Sequence, residues 1–416
     1  MDAAESRENK ASFAQAFDPR ENAFAFLRLV LALLVIVGHS FPLGGFGSEP
    51  SLPALSGVRH SLGDFAVGMF FVLSGFLICR SASGSLSVGR FLWHRFLRIF
   101  PGFWVCLLVS AFVFAPIACA IEYGSLFDVF RSPTNSPQSY VIGNAAMFHA
   151  RGFSLNSIMA VSSSHIGGLL GHNPLPWIIN GSLWTLPIEI LCYLAVAGLA
   201  ALGVMRRARI VVPVIFVLWC GLYEFRHLNP EGFRHYFPHV GFPAFSTFCL
   251  YFFAGAVCFL YREKIPYSKA LFIGSVGVAA VSLTVGVLGW LIPIALPYAF
   301  LCLGFKLPIR HFDAKGDFSY GAYIYGFPVQ QGLALVGVHE AGVGLYLVCT
   351  LLITGVLAVL SYRWIEAPCL RWKNFDSRAT FQPSRRPPQK TPITSTFLTA
   401  PYSDRNDGGT AAPIIL

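Results

Sequence analysis

Charge is scarce in this chain. Asp, Glu, Lys and Arg make up 12% of its 416 residues, against about a quarter in soluble domains. By length alone the chain could hold two or three soluble domains. A soluble helix, however, breaks its apolar stripe with a polar face every turn. Here apolar runs of about 18 or more residues recur, each long enough to cross a bilayer. Disulfide and metal signatures are also missing. None of the ten cysteines forms a CxxC pair, and most lie in apolar runs, where Cys acts as a small hydrophobe. Neither a disulfide framework nor a metal site is expected. No internal repeat is visible, which weighs against transporters built from repeated halves.

Hydrophobic residues fill 55% of the chain, and the formal net charge is +10. A nucleic-acid binder gathers such charge on one surface of a folded domain. Here it sits in short clusters between apolar runs, the pattern of membrane topology signals, so no nucleic-acid partner is expected. The predicted architecture is an all-α polytopic membrane protein with about ten transmembrane helices and both termini cytosolic. The spans fall near residues 22–43, 62–79, 99–120, 181–203, 210–226, 242–261, 270–287, 288–306, 318–338 and 342–365. The split between the seventh and eighth rests on Trp290 and Pro293. With the N-terminus inside, 23 basic residues fall on the cytosolic side. Arg59, Arg131, Arg151, Arg226 and Arg234 fall on the other. Residues 1–21 read as a polar cytosolic arm, 121–180 as a long outer segment within the membrane domain 22–373, and 374–416 as a disordered cytosolic tail. The first run is too long for a signal-peptide core and has no small-residue cleavage site, so it reads as a retained span. The expected location is the inner cell membrane, with the bilayer itself a partner.

A charge within a span costs at least about 2.5–3.5 kcal/mol, so each such residue is a functional candidate that needs a partner. Arg28 and His39 are eleven residues apart on the first span. They face nearly the same way, about 16 Å apart along the axis. One reading is an anion anchor and a base; the other is a snorkelling Arg and a satisfied interfacial His. Arg95 and Arg98 share a helix face. They read as a topology anchor or as a phosphate site at the cytosolic mouth. Ser182, Glu189 and Tyr193 align if their helix is regular, though Pro187 is expected to perturb it. Glu189 reads as a carboxylate that orients a His or contacts sugar hydroxyls, or as a solvated interfacial Glu. Glu366 reads as a structural ion-pair partner for Arg363 or another arginine nearby. Asp64 and Asp317, at helix starts, read as caps.

Six motifs in order resemble those of the acyltransferase-3 family of integral membrane O-acyltransferases. Arg28 and His39 resemble its R-x10-H signature. The run Phe70-Phe71-Val72-Leu73-Ser74-Gly75-Phe76-Leu77-Ile78 resembles its second span, and Arg95-Phe96-Leu97-Arg98-Ile99-Phe100-Pro101 its RxxR element. Ser182-Leu183-Trp184-Thr185-Leu186-Pro187-Ile188-Glu189 resembles its W-(S/T)-L-x-x-E element. Asp317-Phe318-Ser319-Tyr320-Gly321-Ala322-Tyr323 and Arg363-Trp364-Ile365-Glu366-Ala367-Pro368 resemble its C-terminal elements. The resemblance covers residues 22–373. It departs at Val67-Gly68-Met69, where members often carry an acid and only Asp64 lies nearby, and at Gly326, where a His is common.

The resemblance implies transfer of an acyl group, usually acetyl, from cytosolic acyl-CoA to a hydroxyl of a glycan or other acceptor. Acetyl-CoA is the implied donor, and no metal is implied. His39 and Glu189 are then the catalytic candidates. Arg28, Arg95, Arg98, Ser182 and Trp184 are the substrate- or donor-binding candidates. An envelope or exported polysaccharide is the leading acceptor. The alternatives are a lipid-linked sugar or small metabolite, or a transporter or flippase for a sugar-containing substrate. A fused esterase-like domain, present in some members, is not expected here.

Overall fold

In this computed structural model the described residues are 11–374, except 53–59, 85–86, 132–135, 148–168, 177, 237–242, 286–290 and 310. The described residues are mostly helical. In order come α1 (Phe13–Ala16), α2 (Phe24–Leu43), the antiparallel pair β1 (Ser51–Leu52) and β2 (His60–Ser61), α3 (Leu62–Ser83) and α4 (Val88–Val109). A π-turn, Ser110–Phe114, leads into α5 (Ala115–Tyr123). There follow α6 (Pro137–Asn144), α7 (Thr185–Ala201), α8 (Val204–Arg207), α9 (Val211–Leu228), α10 (Pro230–Tyr236), α11 (Pro243–Leu260), α12 (Lys269–Val285) and α13 (Ile292–Lys306). The last long helices are α14 (Ser319–Leu335) and α15 (Val343–Ser361). A π-turn at Tyr362–Glu366, then α16 (Ala367–Arg371) and a 3-10 turn at Trp372–Asn374 end the described residues. The compact unit ends at Lys373.

Local chemistry sets the boundaries. Ser61 caps α3 by accepting from the Asp64 amide at 3.0 Å, and Ser87 caps α4 by accepting from the Arg90 amide at 3.3 Å. Asp64 therefore sits in the first turn of α3, and the cap is its neighbour. The third expected span starts earlier than 99–120 and runs unbroken over Val88–Tyr123. Pro187 does not disturb α7, contrary to expectation. It lies in the first turn, where no intrahelical donor is lost. The turn expected at Trp290 lies outside the described residues, although α12 and α13 flank it.

Among the described residues, four stretches are long and apolar enough to cross a membrane: Phe24–Leu43, Leu62–Ser83, Val88–Tyr123 and Val343–Arg371. Thr185–Ala201, Phe245–Leu260, Lys269–Ser282 and Ile292–Lys306 are shorter apolar helices. Large apolar side chains stand exposed in rows on α5, α9, α12 and α15, including Ile117, Val217, Ile273, Val276, Leu352 and Val356. Water penalises such a belt, whereas lipid accommodates it. In contrast, α14 is buried on all sides, and it is the least apolar of the long inner helices, carrying Tyr320, Tyr323, Gln330 and Gln331. Neighbouring segments accept hydrogen bonds from its glutamine amides. Gln330 donates to the Ile36 carbonyl and to Ser40, and Gln331 to the carbonyls of Leu175 and Ile178.

The tightest helix crossing is that of α3 and α11. A Cβ added at Gly75 would lie 1.9 Å from the Phe252 carbonyl oxygen, and one at Gly255 would lie 2.1 Å from that of Val72. The two backbones touch there, which only a residue without a side chain permits.

The N-terminal segment departs from the polar arm expected for residues 1–21. Residues 11–17 fold back onto the bundle. The Phe13 amide donates to the Ile265 carbonyl at 2.9 Å and the Ala14 amide to that of Arg262 at 3.0 Å. Phe13 is fully buried against Tyr298 and Phe305, and Phe17 packs on Phe24 and Phe76. Two phenylalanines spaced four apart make an anchor too short to register as a hydrophobic run. Phe13→Ala is expected to cost about 3–5 kcal/mol, measured as a lowered thermal midpoint in detergent.

Candidate active site

Near the start of α2, Arg28 meets the residue just before α14. Arg28 Nη1 lies 2.6 Å from Asp317 Oδ2, and Arg98 Nη2 lies 2.6 Å from the same oxygen. Arg98 Nη1 extends the chain to Glu366 Oε2 at 3.5 Å. Ser319 donates to Asp317 Oδ1 through its hydroxyl at 2.5 Å and its amide at 3.2 Å, and Ser361 donates to Glu366 Oε1 at 3.2 Å. Asp317 thus does more than cap a helix, as the sequence reading had it. It is the shared counter-ion of two arginines from two other helices. Burial alone would raise its pKa; Arg28, Arg98 and the two Ser319 bonds more than reverse this and hold it well below the usual carboxylate range. Glu366 pairs with Arg98, not with the exposed Arg363.

Arg95, one turn before Arg98 on α4, is different. It makes no ion pair among the described residues, its guanidinium lies over the Phe91 ring at 5.9 Å, and its Nε is buried without a hydrogen-bond partner. Opposite on α7, Glu189 accepts from Tyr193 and, at 3.2 Å, from Ser74 of α3. Thr185 and Tyr323 are hydrogen-bonded at 2.5 Å.

These side chains surround a cavity of about 330 Å³. Its charged lining comprises Arg28, Arg95, Arg98 and Lys373 against Glu189 and Asp317. Four cations facing two carboxylates, one of them spent on two arginines, favour an anionic ligand. Lys373 is held in place through the chain around it. A His94 ring nitrogen lies 3.1 Å from the Lys373 carbonyl, and Trp93 Nε1 donates to the Trp372 carbonyl at 3.2 Å. Burial, then Arg95 and Arg98, lower its pKa. Along α3 the lining runs from Ile78 to Val67, about 16 Å at 1.5 Å per residue.

His39 does not line this cavity. Phe24 meets Phe76 at 5.9 Å, and Gly38 and Gly63 flank the same Glu49 carboxylate, whose Oε1 accepts from the Gly63 amide at 2.7 Å. That antiparallel register sets His39 level with the first residue of α3, about 7 Å beyond Val67. Its ring lies edge-on to Phe327 at 5.5 Å, and among the described residues no hydrogen bond engages its ring nitrogens. Phe327 is one turn beyond Tyr323 on α14, and it also fills the space over Gly181. It stands between the cavity and His39.

The structure therefore gathers Arg28, Arg95, Arg98 and Glu189 in one cavity and leaves His39 at its outer end. Glu189 engages Ser74 and Tyr193, so it does not orient His39. Ser182 precedes α7 instead of sharing its face. It is buried, donates its amide to Asn180 Oδ1 at 3.1 Å and lies outside the cavity lining. Trp184 packs on Phe248 at 5.5 Å, also outside the lining. Sequence reasoning missed Lys373, Ser74 and Tyr323. Lys373 was counted only as a tail charge, yet a lysine within two turns of the last span is well placed to reach the bundle mouth.

The cavity gathers cations on one side, and His39 lies beyond its Val67 end. The acyltransferase-3 family, described as "Acyltransferase domain", matches residues 21–363, and the chain belongs to it. Among characterised proteins, an "O-acetyl transferase" of Shigella phage Sf6 is 30% identical over 327 residues, covering 75% of this chain and 85% of that protein. No solved structure matches the chain.

Proposed function

We propose that the protein is an O-acyltransferase of the inner cell membrane. It moves an acyl group, acetyl by analogy with the phage relative, from cytosolic acyl-CoA to a hydroxyl of an envelope or exported polysaccharide. The observation that carries this reading is the cavity: three arginines and a lysine at one end, with Arg95 unpaired among the described residues, and a histidine beyond the other. Arg95 and Lys373 hold the donor phosphates, while Arg28 and Arg98, already joined through Asp317, frame the mouth. About ten spans with both termini cytosolic fit the distribution of Lys and Arg and put that mouth in the cytosol, where acyl-CoA resides.

The acyl arm then runs along α3 toward His39, past a displaced Phe327. His39 takes the proton of the acceptor hydroxyl as its oxygen attacks the thioester carbonyl. The new C–O bond forms as the C–S bond breaks, and the CoA sulfur departs as thiolate and is protonated. Glu189 lines the path of the donor beside Ser74.

Membranes carrying the protein and given acetyl-CoA labelled on the acetyl group are expected to yield a base-labile label on the glycan. Substrate movement across the membrane without any CoA dependence would instead establish a transporter. Arg95→Ala is expected to raise the KM for acetyl-CoA about tenfold or more, the loss of one charged hydrogen-bonding group, with kcat changed far less. An unchanged KM would remove Arg95 from the donor site.

A further inference from the structure

A second cavity, of about 350 Å³, opens between the start of α12 and the end of α13. Its floor is apolar, built from Phe272, Leu303 and neighbours, and its only charged lining residues are Lys269 and Lys306. Neither lysine makes an ion pair among the described residues. Lys269 opens α12, whose first-turn amides have no intrahelical acceptor and carry the positive end of the helix dipole. Lys306 closes α13. Gly304 abuts Phe24 at the start of α2, which puts this cavity at the end of the bundle that carries Arg28. From the floor, an exposed apolar row of α12 (Ile273, Val276), on the helix face that carries Lys269, continues along the helix.

We infer that this cavity binds an anionic phospholipid, with its phosphodiester between Lys269 and Lys306 and an acyl chain along the α12–α13 groove. The charge and the floor must be explained together. A soluble phosphate has no use for an apolar floor that runs on into the lipid-facing surface. A zwitterionic lipid gains little from two lysines without acidic partners. An anionic lipid satisfies both, because each lysine at the membrane surface favours it and its chains replace neighbouring lipid on the exposed row. This site is distinct from the acyl-donor cavity, and the inference does not rest on the proposed activity.

The test is native mass spectrometry of the purified protein after equilibration with equal phosphatidylglycerol and phosphatidylcholine. The wild type is expected to retain phosphatidylglycerol preferentially. The Lys269→Gln/Lys306→Gln double variant is expected to lose that retention about tenfold or more, the worth of two interfacial lysines. Leu303→Trp, which fills the floor and leaves both lysines in place, is expected to reduce it too. Equal retention of the two lipids by the wild type, or undiminished phosphatidylglycerol in the double variant, overturns the proposal. So does displacement of the lipid by soluble glycerol phosphate, which would make the site one for a free phosphate.

Discussion

His39→Ala is expected to lower the rate of acyl transfer by about 10²–10⁴, the usual worth of a general base, while donor affinity stays near that of the wild type. Two features of the structure separate these quantities. The cations that would hold the donor lie on α2, α4 and the 3-10 turn at residues 372–374, whereas His39 lies about 7 Å beyond the cavity's outer limit on the other side of Phe327. His39 also has no ion pair or hydrogen bond among the described residues, so its loss leaves no buried partner unsatisfied. Equilibrium binding of acetyl-CoA and single-turnover transfer, measured on the same preparation, read the two effects apart. Full transfer by the variant would remove His39 from the chemistry. A parallel loss of binding and rate would make it a donor contact instead.

A large effect on stability is also expected at Asp317. Asp317→Asn removes the common counter-ion of Arg28 and Arg98, whose side chains are 26% and 16% exposed. Breaking a mostly buried pair strands a charge and costs about 3–5 kcal/mol. Arg98 keeps Glu366 at 3.5 Å, so Arg28 is the group left without a partner. Adding Arg28→Gln to Asp317→Asn should therefore recover part of the loss, a coupling of about 0.5–3 kcal/mol.

The same contact predicts a pH dependence. The Asp317 pKa is depressed on folding, so its contribution is complete above the unfolded value of 3.8 and is lost as the pH falls below it. Thermal midpoints of the wild type should fall below about pH 4, and that component of the slope should be absent in Asp317→Asn. An unchanged midpoint for Asp317→Asn at neutral pH would show that the bridge contributes nothing.

The cation-lined cavity was half legible in the sequence. Arg28 stood out because an arginine in an apolar run is costly, Arg95 and Arg98 because they share a helix face at the mouth of a span, and all three reach one cavity. Asp317 stood at a helix start, where an Asp has a sufficient local explanation, and its partners lie 289 and 219 residues away in sequence. The balance of charge held the clue. Three buried arginines demand acids, and Asp317 and Glu366 are acids at the ends of apolar runs on that same side. Ser182 and Trp184 failed in the opposite direction, because their motif is contiguous with Glu189 in sequence. The chain before Thr185 turns instead of continuing the helix, and this takes both side chains away from the cavity.

What the sequence determined by itself is the class of environment and the chemistry it must tolerate. Apolar runs with little charge are stable only where their length meets lipid or a packed core, and that follows from composition and spacing alone. Which helices face lipid, and which are enclosed, was decided by packing. Hydropathy does not distinguish α14, buried along most of its length with its glutamine amides bonded to α2, Leu175 and Ile178, from an ordinary span, because those partners are distant in the chain. Packing likewise turned Phe13 into an anchor, made Asp317 the junction of two arginines, and set His39 apart from the cations with Phe327 between them. Each of these is a contact between residues distant in the chain, and such contacts exist only once the helices have chosen their neighbours.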